Sequence, residues 1–202
     1  MTDDNEERPR SSIHGVFSSG RTARAKSERL IEGLEVVDEA GVAEDAVWAT
    51  MRRYAAGVTV VTAVEDGAYI DITVSAFCLV SLNPPLILVS LHEGSQVLDA
   101  IQAGDGGFAV SLLSGRQELL ADMFAGRAPR PDPAFRTIPH RTIVTGAPVL
   151  TEGLAWLDCR LSTATPAGDH MLILGNVVAI GVHEGSDDPL LYFGSQYRRL
   201  AP

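Results

Sequence analysis

The stretch Gly57–Leu91, GVTVVTAVEDGAYIDITVSAFCLVSLNPPLILVSL, decides the fold. Val58 to Val64 is β-branched and reads as a strand. Glu65-Asp66-Gly67 is a hairpin signal, because Asp-Gly tolerates the positive φ angles of a tight turn. In the next strand Ile70, Ile72, Val74 and Ala76 alternate with Asp71, Thr73, Ser75 and Phe77, the period of a sheet with one buried face. Asn83-Pro84-Pro85 interrupts, and Leu86 to Leu91 resumes as an apolar strand. Strands joined this closely must be antiparallel.

Outward from that stretch the pattern stays β with short helices. Downstream, Ser95 is placed to N-cap a helix through Val97, Leu98 and Ile101. Phe108 to Leu113 reads as a strand. Ser114-x-x-Gln117 is a capping box opening a helix with Leu119, Leu120, Met123 and Phe124, which Gly126 closes. The loop from Arg127 to Pro139 holds four prolines and no periodicity. Ala155, Leu157, Cys159 and Leu161 then alternate with Trp156, Asp158, Arg160 and Ser162. Pro166-Ala167-Gly168-Asp169 turns the chain into a long strand from His170 to about Val182, and Leu190 to Phe193 is the last. Upstream, Asp45 to Ala56 has Val47, Met51, Tyr54 and Ala55 at helical spacing before Gly57. The expectation is a mainly β (α+β) domain over residues 44–202, an antiparallel barrel with short helical inserts. Residues 1–43 are polar, Ser- and Gly-rich, and read as a partly disordered extension. Within it, Leu30, Ile31, Leu34 and Val37 predict a helix over residues 27–39.

Composition narrows the function. A net charge of -10 over 202 residues excludes an electrostatic nucleic-acid surface. The longest apolar run, Leu86 to Leu91, is strand-sized, so no membrane partner is expected. Met1 to Arg10 is hydrophilic with no signal-peptide core, which predicts a cytoplasmic protein. Cys78 and Cys159 lie in apolar strand-like runs and read as two buried thiols; no His or Cys spacing indicates a metal.

Thr73, Ser75 and Ser81 set hydroxyls along strands and a connecting turn. Such neutral donors beside an apolar wall suit a cofactor carrying carbonyls and a polyol chain, although hydroxyls on the outward face of a sheet look the same. His92-Glu93-Gly94-Ser95 precedes a helix whose free N–H groups favour an anion, and Ser95 as an ordinary cap fits equally well. Gly104-Asp105-Gly106-Gly107 follows a helix and precedes a strand, the wrong order for a dinucleotide loop. Arg127, Arg130, Arg136 and Arg141 read as a solvated loop.

Several stretches, in order, resemble the flavin reductase-like family, the reductase components of two-component flavin monooxygenases. They are MRRYAAGVTVVTA (Met51 to Ala63), TVSAF followed by VSLNPPLILVSL, QELLADMFAG (Gln117 to Gly126), LAWLDCRL with GDHMLILGNV, and PLLYFGSQYRRL. The similarity spans roughly residues 47–200 and implies a split β-barrel, a homodimer, and reduction of FMN or FAD by NAD(P)H for a partner monooxygenase. By position, it implies that Thr73, Val74, Ser75, Ala76 and Phe77 border the flavin, with Ser81 close by. Ser90, His92 and Ser95 would form its phosphate end. His170, in Gly168-Asp169-His170, would be catalytic on the nicotinamide side, and Tyr197 would lie beside the nicotinamide. On residues alone, His170 reads first as a strand-start histidine, and Tyr197 equally as an aromatic closing the barrel.

The chain departs from the family pattern at Asp71, where relatives commonly have Gly, and at Leu79, often small or hydroxylated. A carboxylate near a reduced flavin disfavours its anion. Two other functions therefore stand beside reductase activity: a flavin-binding barrel repurposed for another biosynthetic transformation, and a non-enzymatic binding protein.

Overall fold

The computed structural model describes residues 42–185 and 188–200; the helix expected over residues 27–39 lies outside them. In chain order the elements are α1 (Glu44–Met51), β1 (Ala56–Gly57), β2 (Thr59–Glu65), β3 (Ala68–Val74), β4 (Phe77–Leu82), β5 (Pro85–His92) and α2 (Gln96–Ala103). There follow β6 (Gly107–Leu112), α3 (Glu118–Phe124), a 3-10 turn (Ala134–Arg136), β7 (His140–Thr142), β8 (Pro148–Leu150), β9 (Ala155–Ala167), β10 (His170–Val182), β11 (Leu191–Phe193) and β12 (Gln196–Arg198). The chain divides after Val47, and the unit from Trp48 onward carries every strand.

Seven strands form one antiparallel sheet in the order β3-β2-β6-β9-β10-β5-β4. Its two edges, β3 and β4, are joined by Ser75 and Ala76 alone. Laid flat, seven strands would hold those edges about 29 Å apart at the usual spacing of about 4.8 Å. A two-residue link forces the sheet to curl until its edges meet without pairing, which makes it a split β-barrel. The interior is filled by Val61, Ala63, Ile87, Val89, Leu91, Phe108, Val110 and Ile173, with α2 packed on it through Val97, Leu98 and Ile101. A second cluster, including Phe124, Phe135 and Leu190, lies on the outer side, where α3 and the proline-rich loop pack with Tyr69 and Tyr197.

Local signals explain the turns. Asp66 (φ 50°) and Gly67 (φ 79°) form the two-residue link between β2 and β3, both left-handed as a right-twisted hairpin requires. Gly175 in β10 answers a different need. A Cβ there would come within 2.4 Å of the Phe108 ring, so the largest fully buried side chain fits only because this strand position is bare.

Several expectations change. The first helix stops at Met51 rather than Ala56, and none of its residues is buried, so the apolar spacing of Val47, Met51, Tyr54 and Ala55 marks no buried face. The strand expected to run through Phe77 breaks at Ser75-Ala76, where the barrel seam interrupts it. Cys78 is exposed, not buried; only Cys159 is in the core, where burial pushes its thiol up to about 12. Ser95 caps α2 by backbone position but makes no side-chain cap bond. Half the capping box forms: Gln117 Oε1 accepts from Ser114 N–H at 2.9 Å, while α3 itself starts one residue later.

Candidate flavin site at the barrel seam

The seam residues meet the start of α2 through the ladder β4-β5-β10. Ala76 carbonyl accepts from Ser90 N–H at 3.0 Å, Ser90 pairs with Leu172, and His92 pairs with His170. Gly168, at φ 67°, turns β9 into β10 and so delivers His170 beside His92, with ring centroids 5.5 Å apart, edge to face. His170 Nδ1 lies 2.7 Å from Asp169 Oδ1, and that bond holds the Asp169 carboxyl below its ordinary value. A carboxylate there fixes the proton on Nδ1 and leaves Nε2 as the ring nitrogen for a ligand. His92 Nδ1 accepts from Gly94 N–H at 3.0 Å, which puts the proton of its neutral ring on Nε2. The strand ends are tied together by Glu93 N–H donating to Asp169 carbonyl at 3.0 Å.

Ser95 stands where this ladder meets the helix. Its backbone N–H donates to His92 carbonyl, its carbonyl accepts from Asp99 N–H, and its Oγ is buried without a partner among the described residues. An orphan hydroxyl beside the open N–H groups of α2 suits a phosphate oxygen, which accepts from both. Flavin phosphate therefore fits the donors present: Ser95 and the first turn of α2 at one end, Ser75, Ala76 and Ser90 beyond.

Other predicted residues lie elsewhere. Val74 is buried in the core, and Phe77 packs against the same cluster. Thr73 uses its hydroxyl on the Ala121 carbonyl of α3 at 2.8 Å. Ser81 pairs with Leu86, four positions along β5 from Ser90 and so about 13 Å from it; its Oγ accepts from Asn83 N–H. Tyr197 stands not beside His170 but against α3. Its hydroxyl donates to Asp122 Oδ1 at 3.0 Å and accepts from Arg127 at 2.8 Å. Burial, then the Asp122 bond, pushes its ionisation up to about 12. Asp71 points neither to solvent nor along the Ser75–Ser90 seam; it pairs with Arg130 at 2.6 Å, on the same face of β3 as Thr73. Arg127 and Arg130 are each anchored by an ion pair, and their side chains stay 49% and 45% exposed.

Sequence reasoning missed Asp122 and Arg127 as the holders of Tyr197, which comes 70 positions after Arg127. No local pattern links such residues. Asp169 was legible only as part of a turn.

The flavin reductase-like domain family matches residues 51–201. The chain belongs to that family. It is 34% identical over 151 residues to the FMN reductase (NADH) RutF of Ancylobacter novellus, covering 75% of this chain and 82% of that protein. It is 36% identical to the reductase component of 4-hydroxyphenylacetate 3-monooxygenase from Thermus thermophilus, covering 74% and 92%. Among solved structures, the NADH:FAD oxidoreductase SgcE6 of Streptomyces globisporus C-1027, in complex with NAD and FAD fragments, superposes with a TM-score of 0.72 at 29% identity, covering 84% of this chain and 98% of that one.

Proposed function

We propose that this protein is an NADH:flavin oxidoreductase that reduces FMN or FAD and supplies the reduced flavin to a separate monooxygenase. The observation that carries the reading is the orphan Ser95 Oγ at the N-terminus of α2, beside the Ala76–Ser90–His92–His170 ladder. Flavin, when bound, would supply the hydride-accepting redox chemistry. Ser95 and the α2 N–H groups hold phosphate; Ser75, Ala76 and Ser90 border the polyol and ring. His170, its Nδ1 proton fixed by Asp169, offers Nε2 to orient the nicotinamide or hold a proton. These residues contribute proximity and orientation rather than covalent chemistry.

NADH absorbance followed with FMN or FAD present tests this. Catalytic loss of NADH is the expected outcome. A yellow protein that flavin stabilises but that never oxidises NADH is the repurposed barrel. No turnover with either flavin and either nicotinamide ends the reading.

The working unit is a homodimer in this proposal. Edge strand β4 exposes Leu79, Val80 and Leu82, and the far end of β10 exposes Val178, Ile180 and Val182. Asn176 pairs with Leu86, and Leu82 with Pro85, so both runs lie at one end of the sheet. Apolar surface gathered this way on an unpaired edge is what a second copy covers. Sedimentation should give a dimer, and Leu82→Asp with Ile180→Asp a monomer. The protein is placed in the cytoplasm, where NADH is regenerated; cell fractionation checks it.

A further inference from the structure

The end of α1 and the turn after it present Trp48, Met51 and Tyr54 to solvent, with Trp48 63% and Tyr54 64% exposed. Trp48 and Met51 stand three residues apart and so share one side of the helix. The backbone that carries them is fixed. Arg52 N–H donates to Trp48 carbonyl and Tyr54 N–H to Met51 carbonyl, each at 3.0 Å, which winds the chain on past Met51. Arg52 carbonyl accepts from Gly194 N–H at 3.0 Å, tying the segment to the turn between β11 and β12, where Phe193 is also exposed. Bulky side chains held out on a rigid backbone lose little freedom when something covers them. Arg52 and Arg53 flank them, exposed and without an ion pair among the described residues. Tryptophan, tyrosine, methionine and arginine are the side chains that gather at the centres of protein interfaces.

Strand register says what covers them. Thr59 pairs with Leu112, Leu112 with Ala155, and Ala155 with Val182. The chain leaving α1 runs through β1 into β2 and so enters the sheet in the row of Val182, three strand spacings or about 14 Å away. That row lies at the end of the sheet where Leu82, Ile180 and Val182 are exposed. We propose that Trp48, Met51 and Tyr54 are interface anchors that seat on the β4–β10 end of a second copy, so that two copies exchange their α1 ends. Two-fold symmetry uses the same patch on both molecules, so an anchor beside one copy's β10 is also beside its partner's. Charge agrees, because Arg52 and Arg53 stand on a chain of net charge -10 and meet an equally acidic body in a second copy. Area agrees as well. Trp48 and Tyr54 each offer roughly 100 Å² of ring surface, together about a quarter of the about 800 Å² that a stable interface takes from each partner. The anchors rest on the homodimer reading and go beyond it by assigning the residues outside β4 and β10 that hold the pair.

Hydroxyl-radical footprinting of the full-length protein, read by mass spectrometry, tests the seat, because exposed Trp, Met and Tyr side chains are oxidised and covered ones are spared. Wild type is compared with Leu82→Asp/Ile180→Asp. Trp48, Met51 and Tyr54 should label about fivefold faster in the double variant, since anchors in an interface are cut off from water. Tyr69, whose ring packs on Phe135 and His140, should label equally in both and so reports an intact fold. If the double variant fails to fold, wild type diluted below its dissociation constant takes its place. Equal labelling of the three anchors in dimer and monomer overturns the proposal, whether fast, which leaves them uncovered, or slow, which assigns the cover to the same chain. Trp48→Ala with Tyr54→Ala changes side chains that are exposed in the single chain, and should raise the dimer dissociation constant in sedimentation about a hundredfold. A constant within about threefold of wild type overturns the anchors too. A wild type that is monomeric at every concentration sinks the homodimer reading and the anchors with it, whereas a dimer with freely labelled anchors sinks the anchors alone.

Discussion

The two ends of the seam treat their polar groups oppositely. At the α2 end, among the described residues, Ser95 Oγ is buried without a partner and the rings of His92 and His170 each use one nitrogen. At the α3 end, the Thr73 hydroxyl, the Tyr197 hydroxyl and the Arg127 guanidinium are all bonded within the protein. An orphan group weakens the fold and waits for a ligand, whereas a satisfied one strengthens the fold and must exchange partners to bind. One end keeps polar groups uncommitted, as the proposed flavin site requires; the other is held together by its own contacts.

If that contrast is right, substitutions at committed groups cost stability and substitutions at orphan groups cost affinity. Asp158 extends the committed class into the core. It accepts from Val144 N–H at 2.7 Å, from Thr145 N–H at 3.0 Å, and from the Thr145 hydroxyl. Asp158→Ala should lower unfolding free energy in urea by about 3 kcal/mol, since three donors lose their acceptor. A change under about 1 kcal/mol would mean these bonds are replaced by water at no cost. Ser95→Ala should do the reverse. Melting temperature stays level or rises while flavin affinity drops at least tenfold, matching about 1.5 to 3 kcal/mol for a hydrogen bond to a charged group. Titration calorimetry with FMN giving an unchanged Kd would remove the receptor role.

Thr73→Val tests the α3 end at smaller scale. It should cost about 1 kcal/mol of stability and leave flavin affinity unaltered. A larger loss in affinity than in stability would show that Thr73 leaves Ala121 when ligand binds. The smallest effect is expected at Asp169. Its carboxyl is held below the ordinary 3.8 by His170, so the folded form binds its proton more weakly than the unfolded chain. That contribution is complete above the ordinary carboxylate value and lost as pH falls through the lowered one. Asp169→Asn should therefore be slightly less stable near neutrality, with the difference vanishing in acid. An acid-unfolding series with parallel curves at every pH would deny the His170 bond any weight.

Much of the fold was readable because its signals are local. Asp66-Gly67 dictates a hairpin by backbone sterics, and the alternation of Ile70, Ile72 and Val74 fixes which face of β3 turns to the barrel interior. The strand from His170 to Val182 is bounded by a turn whose Gly168 tolerates positive φ. The site was legible only in part. His92, Ser95 and His170 follow turn and cap signals, and the barrel brings them together. Thr73 and Tyr197 carried the right chemistry in the wrong surroundings, because residues some fifty to seventy-five positions away claim their hydroxyls. Cys78 was misjudged because apolar neighbours in a strand do not reveal whether a partner sheet covers it.

Sequence alone determined that this chain alternates strands with tight turns, carries little positive charge, and places hydroxyls and histidines at strand ends. Those properties come from nearest-neighbour geometry and composition, which no distant contact alters. The tertiary structure decided which polar groups remain available. The assembled fold leaves Ser95 Oγ without a partner among the described residues, yet buries Asp71 beneath Arg130. Satisfaction of a hydrogen bond depends on what packs across the gap, and that is settled only when separate segments of the chain come together.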